Sequence, residues 1–260
     1  MALTFPLVCI YNDKSSGESD DKIHAVTRAL AQQLKDDFGP AWRTGAHLGF
    51  VPSSAKPPAG WWTLAVLDTA DVAGALGYHD LTPDGKPLGK AFAGTDRQYG
   101  NEISVTLGHE LLEMLGDPYI NLSAQAPDGK FYAWEDCDAV EADSLGYQVQ
   151  GVQLSDFVYP AWFGNGAGKL DQCGHCSSPL EVTPGGYISV FDPGSGQGWT
   201  QVQASFEDVA SAAELYSALP PVGSRRERRH RGRDAWIRST FEQGEGSDVF
   251  ERIDFAASSH

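Results

Sequence analysis

Apolar positions along the first 116 residues change period several times, and each change predicts an element. Residues 3–11 are almost continuously apolar and predict a strand. After a Ser/Gly/Asp loop, Ile23, Val26, Ala29, Leu30 and Leu34 repeat at helical spacing and predict an amphipathic helix over 21–38. Strands are predicted at 47–51 and 61–69. Two more follow at 72–79 and 87–92, joined across Thr82-Pro83-Asp84-Gly85, residues that favour a tight turn. Ile103, Leu107, Leu111 and Met114 then return to helical spacing over 101–116, with Asn101 as the expected N-cap and Glu102 suited to the first turn. Gly116, Asp117 and Pro118 stop that helix abruptly.

Beyond it the pattern shortens. Alternation over 147–154 predicts a hairpin, 156–163 is aromatic and turn-like, 186–192 predicts a strand and 206–219 has helical spacing. Pro220, Pro221 and Gly223 interrupt the chain before a basic run at 225–233. The expected organisation is a subdomain over 1–117, a loop- and β-rich subdomain over 118–219 and a basic linker and tail over 220–260. The expected fold class is α+β: a twisted mixed sheet over one central helix, with an irregular C-terminal part.

Composition is that of an ordinary globular protein of 260 residues, with a net charge of −16. The charge is uneven: residues 1–220 carry −17 and residues 221–260 carry +1. An acidic body argues against nucleic-acid binding except through the basic 225–233 run, which reads first as a solvated linker. The apolar stretch at 5–10 is too short for a signal-peptide core, and no stretch approaches a membrane span. The expectation is a chain that stays in the cytoplasm, or joins a particle assembled there.

There are four cysteines. Cys9 reads as a buried small hydrophobe. Cys173-Gly174-His175-Cys176 copies the spacing of a thiol–disulfide site, but no βαβ pattern surrounds it. It reads as a loop, with a local disulfide or half of a zinc site as the sharper alternatives.

The candidate chemistry lies on the 101–116 helix. His109 and Glu113 are four residues apart and project side by side, while Glu110 sits about 100° around. Two ligands one turn apart beside a carboxylate that can take a proton is the layout of a zinc-hydrolase helix, with Glu113 where a histidine is usual. The helix is too apolar to be a solvated surface helix, so its polar groups need partners. A third ligand must come from another segment. Glu135 is preferred to Asp138, because the run Phe131-Tyr132-Ala133-Trp134 can anchor the strand before it. Asp138, Glu141 and Asp117 are further ligands or groups that orient a ligand, and His79, on an edge strand, is the next candidate. Tyr159 or Tyr119 could bond an oxyanion.

The helix, its Asp-Pro terminator and the cluster Glu135-Asp136-Cys137-Asp138-Ala139-Val140-Glu141 resemble a group of zincin-like metallopeptidases with HExxE in place of HExxH. The resemblance continues through 155–163 and 185–193, covers roughly residues 1–205 and leaves the tail unmatched. It implies a zincin fold, Zn²⁺ held by His109 and Glu113 with a third ligand in the 135–141 cluster, and Glu110 as general base acting on a peptide or protein substrate. Glu113 adds negative charge to the ligand set, so the zinc is a weaker Lewis acid and activity is expected at higher pH. Two other classes fit the residues. One is a structural protein of a virion or other assembly, with a stabilising or vestigial metal site and assembly partners. The other is a binding module whose carboxylates hold calcium, against which His109 argues.

Overall fold

The computed structural model describes residues 5–71, 75–164, 167–204 and 251–253, the last three as backbone only. Strand β1 (Leu7–Asn12) leads to helix α1 (Asp20–Gln33), whose N-cap Ser19 accepts the Lys22 N–H. All five periodic apolar residues of that helix segment are buried. The helical path continues as a π-turn over Leu34–Phe38 and a short helix α2 (Gly39–Trp42), then β2 (His47–Val51) and β3 (Trp62–Leu67). Strands β4 (Gly77–Leu81) and β5 (Pro87–Phe92) form the expected hairpin, antiparallel, with His79 opposite Gly89. The strand starts later than the sequence pattern implies, and residues 72–74 lie outside the described part.

With a last strand β12 (Glu251–Ile253), these strands make one mixed sheet in the order β12-β2-β1-β3-β5-β4. The four inner strands are parallel, as helical and long crossovers permit, and β4 is an antiparallel edge. The other edge is β12 (Glu251–Ile253), paired with β2, so a segment read from sequence as tail contributes a strand. The mixed sheet with its helices is α+β, as expected from the chain. The predicted helix at 206–219 and the basic run at 225–233 lie outside the described residues.

A short helix α3 (Ala93–Tyr99) precedes the central helix α4 (Ile103–Gly116). Every residue of α4 from Ile103 to Leu115 is buried. One side lies against β5 and β4, another against residues 152–154. Asn101 is not its N-cap. Glu102 holds that position without a side-chain bond, and its own N–H donates instead to Asp143 Oδ2, 2.6 Å away. A carboxylate from a distant turn therefore accepts the N–H of the capping residue itself.

The second half is more regular than its sequence suggests. Short strands β6 (Ser123–Gln125) and β7 (Phe131–Ala133) join β10 (Tyr187–Phe191) and β11 (Trp199–Gln203) in a four-stranded antiparallel sheet. The predicted hairpin is β8 (Tyr147–Val149) and β9 (Val152–Leu154). Its turn residues Gln150 and Gly151 both have positive φ, which suits a tight two-residue connection. The main core cluster gathers the inner face of the large sheet, α1 and α4, and also takes Cys137, Leu154 and Phe157 from the second half. Among the described residues no helix is long and apolar enough to cross a membrane.

Candidate metal centre

Two faces of α4 carry the polar residues, and each face meets a different element. His109 and Glu113, one turn apart, lie with His109 Nε2 3.2 Å from Glu113 Oε1. Asp138 joins them from a 3₁₀ turn over Asp138–Val140, its Oδ1 3.3 Å from the same His109 Nε2. The turn is held from downstream, where the Thr183 N–H and Oγ1 both donate to the Ala139 carbonyl, at 2.9 and 2.7 Å.

On the other face, Glu110 reaches beneath β4. Side chains alternate along a strand, so Gly77 and His79 share the side that faces α4. A Cβ at Gly77 would lie 2.8 Å from Glu110 Cγ, so only glycine lets the glutamate pack there. His79 Nδ1 is 3.5 Å from Glu110 Oε2 and 3.4 Å from Glu113 Oε2. His79 Nε2, on the far side of the ring, faces Glu135 Oε2 at 3.8 Å.

The preferred third residue, Glu135, therefore does not stand with His109 and Glu113. Its carboxylate belongs to the His79 side, and Asp138 is the acid beside His109. Trp134 does anchor the segment, stacked on Phe163 at 4.2 Å and edge-on to Trp42 at 5.5 Å. That anchoring fixes where Glu135 points, but toward β4. The 3₁₀ turn instead brings the shorter Asp138 side chain to His109 Nε2.

Asp117 is buried and serves the backbone instead. Its Oδ2 accepts the Leu122 N–H at 2.8 Å and closes the loop after α4. No distance places Glu141 within either group, and it is partly buried. Asp136 packs against the end of α4, where a Cβ at Gly116 would lie 2.3 Å from Asp136 Oδ2. Tyr159 donates to Gln172 Oε1 at 2.8 Å and Tyr119 is 53% exposed, so neither stands among these residues.

Burial, the largest single effect, disfavours a charged His109, but Glu113, Asp138 and Glu110 together outweigh it and hold the imidazole well above its ordinary value. Burial, and then Glu113 and Glu135, push the Asp136 carboxyl well above the usual carboxylate range. Beside it Cys137 is a buried free thiol that donates to Asp136 Oδ1 at 3.4 Å, its own ionisation pushed well up by burial and Asp136.

The donor atoms of His109, Glu113 and Asp138 lie within 4.8 Å of one another. Ligands held about 2.0–2.1 Å from a tetrahedral zinc stand about 3.3–3.4 Å apart, which follows from the bond lengths. The 3.2 and 3.3 Å separations around His109 Nε2 match that edge. One imidazole and two carboxylates also form a chemically suitable set for zinc. The residues fit the ion.

Asp156, Cys173 and His175 form a separate grouping on the second half. Asp156 Oδ1 accepts the Phe157 and Cys173 N–H groups, at 2.7 and 3.1 Å, and Oδ2 is 3.8 Å from His175 Nε2. Burial, with Asp171 beside it, pushes the Asp156 carboxyl up to about 7. Cys173 and Cys176 are free thiols, both pushed up to about 12, first by burial and then by neighbouring carboxylates. Thiols held protonated in this way are poor nucleophiles near neutral pH.

No family model matches the chain, and neither curated proteins nor solved structures yielded a match.

Proposed function

We propose that the protein is a metal-dependent hydrolase of zincin-like type, acting on a peptide or protein, with Zn²⁺ held by His109, Glu113 and Asp138. The observation that carries this reading is the convergence of those three buried donors, from a helix and a separate turn, at separations of 3.2 and 3.3 Å around His109 Nε2. A bound zinc supplies a Lewis acid that polarises a carbonyl and eases deprotonation of water. Glu110 stands outside that trio, on the adjacent face of the same helix, and its Oε2 is the proton acceptor in this reading. Packing beneath Gly77 fixes the direction of its carboxylate. Surrounding apolar residues of α4 and the sheet limit water around these groups and strengthen their interactions.

A second reading keeps the metal and drops the chemistry: a component of a virion or other assembly in which the ion holds the two halves together. Deep burial of every donor favours it, since His109 is only 5% exposed and Asp138 1%. Zinc content and hydrolysis of a fluorogenic peptide library, measured on the full chain, separate the two. Hydrolysis is expected to disappear in both His109→Ala and Glu110→Gln, with the His109-side zinc lost only in the former. Protein loaded with one equivalent of zinc that cuts nothing yet melts lower on chelation would overturn the hydrolase in favour of the structural reading.

A further inference from the structure

Glu113 offers its two carboxylate oxygens to different imidazoles. Oε1 is 3.2 Å from His109 Nε2, and Oε2 is 3.4 Å from His79 Nδ1. His79 Nδ1 also lies 3.5 Å from Glu110 Oε2, and the three donors of His79, Glu110 and Glu113 lie within 4.8 Å of one another. All three residues are buried. Glu110 is more than nine-tenths buried, and its Oε2, aimed at this space, receives no hydrogen bond among the described residues.

We propose that His79, Glu110 and Glu113 form a second divalent-cation position, which shares the Glu113 carboxylate with the His109–Glu113–Asp138 position. Three arguments support it. The spacings of 3.4 and 3.5 Å are close to the edge of a tetrahedral ligand set. The orientation of His79 is that of a metal-bound imidazole: Nδ1 faces the two glutamates while Nε2 faces Glu135, the outer carboxylate that commonly orients such a ring. Charge is the third. Glu110, Glu113, Glu135 and Asp138 bring four carboxylates to two imidazoles, so even two protonated rings leave negative charge within the set. Two divalent cations with neutral rings balance it, and buried charge needs such pairing. One imidazole with two carboxylates selects a borderline cation such as zinc or manganese over calcium.

The consequence rests on the hydrolase reading. A cation at this position takes the Glu110 Oε2 electron pair that would otherwise accept the proton of water. The singly loaded protein is then the active form, and filling the second position turns it off.

The test uses the full chain with Cys173→Ser in the background, so that the Asp156–Cys173–His175 loop adds no metal. Protein stripped by a chelator is titrated with zinc alone, and bound zinc is read by equilibrium dialysis with elemental analysis. Two zinc per chain are expected at saturation, falling to one in both His79→Ala and His79→Asn, the second variant guarding against misfolding of the first. Peptide hydrolysis should rise to one equivalent and fall at least tenfold by two, and His79→Asn should abolish the fall. Saturation of the parent at one zinc, or two zinc retained by a folded His79 variant, would overturn the second position. The count is independent of activity: two ions at saturation with no hydrolysis at any loading removes the hydrolase and leaves the paired site standing, whereas hydrolysis with saturation at one ion does the reverse.

Discussion

Around Glu113 the carboxylates meet imidazole nitrogens, whereas in the 171–176 loop they accept backbone N–H groups. Asp171 Oδ2 takes the His175 N–H at 2.7 Å and Oδ1 the Cys176 N–H at 2.9 Å, so this acid shapes its loop. The Glu113 cluster stands on a buried helix, a strand and a pinned turn, elements that already satisfy their own backbone. Both regions combine acids with histidine, and the loop adds cysteine, so residue type alone does not distinguish them. What distinguishes them is which donors the carboxylates face: main-chain amides in the loop, and clustered imidazole nitrogens around Glu113.

Metal removal tests the first half of that contrast and should have the largest effect. A ligand present at 1,000 times its dissociation constant stabilises by about 4 kcal/mol. For a chain of this size, that converts to a melting temperature about 10 °C lower after chelation. Glu113→Gln should remove the dependence on chelator, because this residue serves both proposed positions. A melting temperature that ignores chelator in the parent protein would show that these carboxylates do not depend on a cation.

The second half is tested at Asp171. Replacing it with alanine strips two buried or partly buried amides of their acceptor and should cost about 2–3 kcal/mol in urea unfolding. Zinc bound at the Glu113 cluster should not change. A variant that lost that zinc would mean the two regions are coupled rather than distinct.

Asp96 sharpens the contrast from between the two. It is buried, its Oδ1 accepts from Thr106 Oγ1 at 2.8 Å, and among the described residues its Oδ2 receives no hydrogen bond. Burial, the largest cause, raises its carboxyl to about 7. The unfolded carboxyl ionises near 3.9, so between about pH 4 and pH 7 the folded chain holds a proton that the unfolded chain has released. Stability therefore falls as pH rises through that window. Asp96→Asn should flatten the fall and gain about 1–2 kcal/mol on the parent between pH 5 and pH 8, a cautious fraction of the full linkage. Parallel pH profiles for the two proteins would contradict a protonated Asp96.

The helical half of the cluster was legible in the chain because an α-helix converts spacing into direction. His109, Glu110 and Glu113 could be placed on their faces from the numbers four and one. The Thr82–Gly85 turn and the Gln150-Gly151 turn were legible for the same local reason. The partner from 135–141 was not, since Glu135 and Asp138 lie three positions apart on a backbone held by the Trp134 stack and by Thr183. His79 carried only a hint, an alternating strand position beside a glycine, and its relation to Glu110 exists only once β4 lies over α4. The Asp143 bond to the Glu102 N–H was hidden for a similar reason, because it spans 41 residues.

The hold of Thr183 on Ala139 also sets an order in time. Chains emerge N-terminus first and fold as they do so. His79, Glu110 and Glu113 can meet as soon as the β4–β5 hairpin closes on α4, while Asp138 waits for a residue 44 positions beyond Ala139 to leave the ribosome. In a growing chain the side chains of the His79 side can therefore come together before the turn that completes the His109 side.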